Sequence, residues 1–193
     1  MSAIEKAQAA DTIGSALTKT LEAGETASAK GVYTMQCFDK DGNLKWEAVC
    51  PNLVVNGGLQ DMNNKYFLGS AYTATWYIGL YGAGATNSPA ATDTMSSHVG
   101  WTEVVPYSQA TRPACSFATP TTANPSVATN SASPAVFSIN ATSTVGGAFL
   151  TSNNTKSGTT GTLYSASDFT SPGDRSVVSG DTLNVTYTLS LAG

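Results

Sequence analysis

Residues 181–193, "DTLNVTYTLSLAG", decide the fold class of this chain. Leu183, Val185, Tyr187, Leu189 and Leu191 alternate with Thr182, Asn184, Thr186, Thr188 and Ser190. A period of two puts every large apolar side chain on one face of an extended strand and every hydroxyl or amide on the other. One face is then in a core and the other is wet. The alternating stretch 182–191 carries neither Pro nor charge to guard an exposed edge, so it is expected inside a sheet.

Similar runs precede it: "ATWYIGLYG" (74–82), "WTEVVPYS" (101–108), "ACSFA" (114–118), "AVFSINA" (135–141), "VGGAFLTS" (145–152) and "GTLYSA" (161–166). Gly-, Pro-, Ser- and Asn-rich turns separate them, with the longest loops at 83–100 and 119–134. Many short strands without helical spacers predict an antiparallel β-sandwich or jelly roll.

Residues 31–50, "GVYTMQCFDKDGNLKWEAVC", read as a β-hairpin about a two-residue Asp41-Gly42 turn. That register sets Lys40 opposite Asn43, Cys37 opposite Trp46, Met35 opposite Ala48 and Tyr33 opposite Cys50. One face is then wholly apolar and the other mostly polar, and a one-residue slip would scramble the sorting. The turn "DKDGN" is superficially similar to a calcium loop, but it lacks the third oxygen ligand and the later bidentate Glu.

Residues 50–67, "CPNLVVNGGLQDMNNKYF", hold the one helix expected in the β-domain. A strand ends at Val54 and Val55, Gly57-Gly58 bends the chain, and Asn56 is placed to cap a helix over 59–68. Gly69 stops it. Leu59, Met62, Tyr66 and Phe67 are expected to face the body, as a plug over one open end of the sandwich.

Residues 1–30 form an N-terminal arm, polar, Ala-rich and of helix-forming composition, ahead of a β-domain over 31–193. Its interaction residues are Ile13, Leu17 and Leu21, spaced four apart in a narrow apolar stripe. Three such side chains contribute about 5–8 kcal/mol when fully buried, too little to offset the ordering of so long a segment. The arm is expected to become ordered against a partner.

Composition narrows the function. Only 11% of the 193 residues are charged, the net charge is −4, and no basic run exists. Direct nucleic-acid binding, which needs clustered phosphate-neutralising cations, is not expected. No apolar run approaches the roughly 20 residues of a membrane span. The N-terminus has no signal-peptide pattern, which predicts synthesis and assembly in a cytosol. Cys37, Cys50 and Cys115 are odd in number and form no CxxC, so buried free thiols are expected rather than disulfides or a zinc site.

No catalytic signature stands out. His98, the single histidine, reads as a solvated loop residue, with no nucleophile elbow and no partner at metal-ligand spacing. Asp93 and Glu103 are the one carboxylate pair that could flank a sugar bond, although nothing in their spacing requires it. Tyr72, Trp76, Tyr77, Tyr81 and Trp101 could form a sugar platform, but their places in strand-like runs favour core or intersubunit packing. "GLYGAGA" lacks the Lys-Ser/Thr of a phosphate loop. The N-x-S/T triplets at Asn140, Asn153 and Asn184 read as chance matches. No cofactor and no metal are expected, and the chain is expected not to be an enzyme.

Taken together, "NLVVNGGLQDMNNKYF", "TATWYIGLYGAG", "DTMSSHVGWTEVVPYSQATRPACSF", "AVFSINATSTVGGAFLTSNNT", "GTLYSASDF" and "RSVVSGDTLNVTYTLSLAG" resemble virion structural proteins of tailed bacteriophages, most of all capsid decoration, or cement, proteins. The resemblance covers about residues 46–193 and is one of whole β modules. It implies a capsid-surface location, production in the host cytoplasm, and as partners the major capsid protein and further copies of the chain, as a dimer or trimer. A tail or fibre component that contacts the host is the nearest alternative. A carbohydrate-binding module or depolymerase is the alternative of a different class.

Overall fold

In chain order the elements are β1 (Ser28–Phe38), β2 (Leu44–Pro51), β3 (Leu53–Val54), α1 (Asn56–Phe67), β4 (Trp76–Gly82), β5 (Glu103–Val104), β6 (Ala114–Cys115), β7 (Ser126–Thr129), β8 (Ala135–Ser138), β9 (Ser143–Thr151), β10 (Leu163–Asp168), β11 (Arg175–Val177) and β12 (Thr182–Ala192). They come from a computed structural model that describes residues 27–73, 75–82, 88–169 and 173–193. Ile13, Leu17 and Leu21 lie outside the described residues, as does the arm up to residue 26. Ser28–Lys30, counted with the arm on sequence, belong to β1 and pair with Ser190–Ala192.

The strands form two antiparallel sheets. The first runs β2-β1-β12-β7, with β8 also on β12; the second runs β3-β10-β9-β4-β5, with β11 on β9 and β6 on β4. They face each other as a sandwich whose core draws Tyr33, Met35, Cys37, Leu183, Val185 and Tyr187 from the first sheet. Ile78, Leu80, Val145, Ala148, Leu150 and Tyr164 come from the second.

The C-terminal strand is where its pattern put it, inside a sheet. β12 lies between β1 on one side and β7 and β8 on the other. Leu183, Val185 and Tyr187 are fully buried, while Leu189 is half-buried and Leu191 is exposed where the strand leaves the sandwich. A gap between β7 and β8 is closed by one side chain. Asn130 accepts from Tyr187 N–H at 2.6 Å and donates to the Val185 carbonyl at 3.3 Å, standing in for a missing stretch of strand.

The hairpin has the expected pairs Tyr33–Cys50, Met35–Ala48 and Cys37–Trp46. Its turn differs. Asp39 N–H donates to the Asn43 carbonyl at 2.9 Å and Gly42 N–H to the Asp39 carbonyl at 3.0 Å, so Asn43 meets Asp39 rather than Lys40. Gly42 takes a φ of +84°. The Asp39 carboxylate accepts the N–H groups of Asp41 and Asn43, each at 2.9 Å, which favours this longer loop over the two-residue turn. The extra residue is absorbed by a bulge: Phe38 pairs with Leu44 and skips Lys45, after which the expected register holds.

Helix α1 starts earlier than expected, at Asn56, with Val55 as its N-cap and no side-chain capping bond. Asn56 instead donates its backbone N–H to the Ala91 carbonyl at 2.8 Å. Gly69 ends the helix as expected, at a φ of +64°. Of the expected apolar face only Met62 points inward. Gly58 is the one fully buried residue of α1, because the helix packs so closely on β10 that a Cβ there would run into the Tyr164 carbonyl oxygen. Met62 packs against the Tyr164 hydroxyl, whereas Leu59, Tyr66 and Phe67 are exposed.

Candidate functional site

The outer face of the second sheet carries a second apolar cluster: Val55, Tyr81, Met95, Trp101, Phe149, Leu163 and Ala166. Alternation along β9 and β4 generates it. Ala148 and Leu150 point into the main core, so Phe149 points out; Leu80 points in, so Tyr81 points out. Phe149 lies across Gly79, where any Cβ would fall 2.1 Å from its ring. Glycine is required there by the close approach.

Trp101 roofs this cluster and gathers the residues that sequence reasoning had weighed for chemistry. Its ring stacks on Tyr81 at 5.0 Å and meets Phe149 at 5.2 Å. Its indole N–H donates to Asp93 at 3.0 Å, and the same carboxylate accepts the N–H of Ala90 at 3.0 Å. His98 is a half-buried loop residue: its ring stacks on Trp101 at 3.9 Å, and its Nδ1 lies 3.0 Å from the Trp101 carbonyl. That carbonyl can only accept, so Nδ1 carries a proton and Nε2 is the second nitrogen left for other partners.

Glu103 is committed elsewhere. It forms a two-pronged pair with Arg112, Nε to Oε1 at 2.9 Å and a terminal nitrogen to Oε2 at 2.8 Å, with both side chains almost wholly buried. Oε2 also accepts the Ser157 N–H at 2.6 Å, while Arg112 donates to the Asn153 and Gly158 carbonyls. The Arg112 guanidinium lies 5.2 Å from the Phe149 ring centre. Three charge-assisted bonds, one to Glu103 and two from Arg112, thus hold the 153–158 loop, and two more join Arg112 to Glu103 on β5. A cleft of about 260 Å³ lies here, lined by residues including His98, Trp101, Glu103, Arg112 and Ser157. It offers an imidazole and hydroxyls, but Asp93 and Glu103 both hold structural partners.

The expected aromatic platform is dispersed. Tyr81 and Trp101 are buried, Trp76 packs edge-on against Tyr164 at 5.5 Å, and Tyr72 is exposed. The three thiols are free and buried, as the spacing implied. Burial pushes Cys37 up to about 11 and both Cys50 and Cys115 up to about 12. Among the described residues no group of three or more His, Cys, Asp or Glu is placed to hold a metal ion. No described helix is long and apolar enough to cross a membrane.

The surface that stands out is the C-terminal end of α1. Tyr66 is 84% exposed, Phe67 74%, Leu68 78% and Tyr72 83%. The Tyr66 and Phe67 rings meet edge to face at 4.9 Å, so the two side chains form one apolar knob. Lys65, at its base, is drawn inward to Asp61 and Thr73 and lies 5.6 Å from the Trp76 ring centre. The knob therefore has no free cation beside it from its own helix turn. Sequence periodicity alone assigned Tyr66 and Phe67 to the buried face; the Gly57-Gly58 pair, whose missing side chains let α1 approach β10, was the signal that the helix packs through Gly58 and Met62 instead.

Comparisons with protein-family models, with curated proteins and with solved structures give no match.

Proposed function

We propose that the chain is a non-enzymatic structural protein of a tailed-phage virion that decorates and stabilises the capsid shell through its β-domain and N-terminal arm. The observation that carries this reading is the shoulder of α1, where Tyr66, Phe67, Leu68 and Tyr72 stand in solvent. Large apolar side chains grouped on a surface mark a protein contact. The rest of the surface suits the same purpose. Lys40, Lys45 and Lys65 are each matched within the chain by a carboxylate. Lys156 donates to the Val105 and Tyr107 carbonyls. A neighbour docking on such a surface has few unmatched charges to desolvate. The major capsid protein and neighbouring copies of the chain are the partners in this reading, and the outer capsid surface is its location, reached after synthesis in the host cytoplasm.

The test is sedimentation of the purified chain with shells assembled from the major capsid protein of the same virus. The proposal expects saturable binding at a fixed copy number per shell and a higher melting temperature for the decorated shell. Binding to purified tails but not to shells would move the chain to the tail or fibre. Binding to neither, with cleavage of a polysaccharide, would replace the reading with an enzymatic one.

A further inference from the structure

Among the described residues, one long strand edge has no strand beside it. β2 pairs with β1 alone, along Leu44–Pro51. The other described edges are short or covered. β3, β5 and β6 hold two residues each and β11 three. β7 is met by the 118–121 segment, where Ala118 N–H donates to the Thr129 carbonyl at 2.9 Å and Thr121 N–H to the Val127 carbonyl at 3.0 Å. At β8, Ser108 N–H donates to the Ser138 carbonyl, and Ser138 N–H to the Gln109 side-chain oxygen. A bare edge is a template for another strand. We propose that the free edge of β2 is a self-association surface, to which β2 of a second copy adds antiparallel about a two-fold axis at Ala48, so that Glu47 pairs with the partner's Val49.

The phase of the backbone selects that register. Asn52 N–H donates to the Gly31 carbonyl at 2.9 Å, one pair beyond Val32 and Pro51 in the β1–β2 ladder. Hydrogen-bonded and open pairs alternate in an antiparallel ladder. Trp46, Ala48 and Cys50 therefore turn their N–H and C=O groups towards β1, and Glu47, Val49 and Pro51 turn theirs outward. Pro51 has no N–H to offer there, which ends the free edge on one side. The bulge at Lys45 ends it on the other, and the Lys45 ammonium is drawn in to buried Asp181 rather than guarding the edge. Glu47 and Val49 remain as the pair with both outward groups intact. With the axis at Ala48, each pairs with the other's counterpart, and the outward groups of both residues are satisfied in both copies. An axis at Glu47 would set two carboxylates face to face, and an axis at Val49 would set Glu47 against a proline that cannot donate. The residues that meet on the axis form an open pair, where side chains come closest, and Ala48 is small enough for it. The pattern is self-complementary, so a second copy closes both edges at once and leaves neither open. The contact gives neighbouring copies in the proposed function a place to meet, yet it forms without a shell, so its failure would leave shell binding untouched.

The test is sedimentation velocity of the full chain over a concentration series, with no shell present. The proposal expects a monomer–dimer equilibrium. Val49 is 61% exposed, so Val49→Glu leaves the sandwich core untouched. It sets a carboxylate opposite the partner's Glu47 at both ends of the contact and should raise the dimer dissociation constant roughly tenfold. Adding Glu47→Lys to Val49→Glu sets opposite charges together at both ends and should return the constant to that of the natural chain or below. A natural chain that stays monomeric at about 0.1 mM, where contacts of micromolar strength are filled, overturns the proposal. Dimers of Val49→Glu as tight as the natural ones, or a charge-swapped variant as weak as Val49→Glu alone, overturn it too. So does a dimer lost in Phe67→Ser/Leu68→Ser but kept in Val49→Glu, which would assign self-association to the α1 shoulder.

Discussion

β12 buries every second side chain over the body of the sandwich, whereas β9 buries the last seven of its nine residues without a break. The first strand belongs to a sheet with one face in the core and one in water. The second belongs to a sheet covered on both sides, by the first sheet within and by Val55 and the 88–102 segment without. A one-sided sheet needs only alternation. A two-sided sheet needs side chains of different size on its two faces and loops that bring their own polar groups with partners attached. The Trp101–Asp93 and Arg112–Glu103 pairs are those partners, and they make the outer side of the second sheet the more fragile half.

The largest effect expected from this contrast is at Arg112. Arg112→Met strands Glu103 in a buried site, and chemical denaturation should show a loss of about 3–5 kcal/mol. A loss under ~1 kcal/mol would mean that water reaches Glu103 and that the outer cluster is loosely covered. In the first sheet, Leu183→Ala should cost about 2–5 kcal/mol through the cavity left between the sheets. Thr188→Ala, on the wet face, loses one bond to the Thr129 hydroxyl at 3.0 Å and should cost about 0.5–1.5 kcal/mol. Equal losses at 183 and 188 would abolish the distinction between the faces of β12. Gly79→Ala forces a methyl group into the Phe149 ring and should cost about 1–3 kcal/mol. The same exchange at exposed Gly42 meets no atom but does meet a φ of +84°, so its cost is purely one of backbone conformation.

The thiols give a smaller, pH-dependent term. The folded state raises all three above their ordinary value of 9.0, to about 11 for Cys37 and about 12 for Cys50 and Cys115. The unfolded chain releases those protons first, so the stability they contribute is complete below pH 9 and is lost between about pH 9 and 12. A denaturation midpoint that falls across that range in the natural chain, and falls less in Cys115→Ala, is the expected result. In the folded protein at pH 8 none of the three should react with a thiol reagent on the timescale of minutes.

What was legible in the sequence follows the same division. Alternation exposed β12 and fixed the β1–β2 register to the residue, because one wrong step would have put Tyr33 and Met35 in water. The Asp39 carboxylate altered the turn, and the bulge at Lys45 kept that change local. β7 and β11 fell in stretches read as loops, since four- and three-residue strands carry too few alternations to register. The side chain of Asn130, which completes the β12 ladder, has no periodic signature at all. The helix was found but rotated, with Met62 alone of its expected face packed, because counting apolar residues weighed Tyr66 and Phe67 above two glycines that had no side chain to count. At the candidate site, Asp93 and Glu103 were weighed as a carboxylate pair, Trp101 as part of an aromatic platform and His98 by itself. The seating of the Trp101 indole on Tyr81 and Phe149 and the commitment of Glu103 to Arg112 depend on long-range packing of β4, β5 and β9, which spacing along the chain does not encode.

The account places function on the shoulder that the fold leaves bare and structure in the cleft that it fills. Titration of capsid shells with three full-length proteins tests this most directly: the natural chain, Phe67→Ser/Leu68→Ser, and His98→Ala. The account predicts that the shoulder variant binds shells at least about tenfold more weakly, as expected for loss of apolar anchors at an interface, while His98→Ala binds within about twofold of the natural chain. Undiminished binding by the shoulder variant, or loss of binding in His98→Ala with the fold intact, would contradict it.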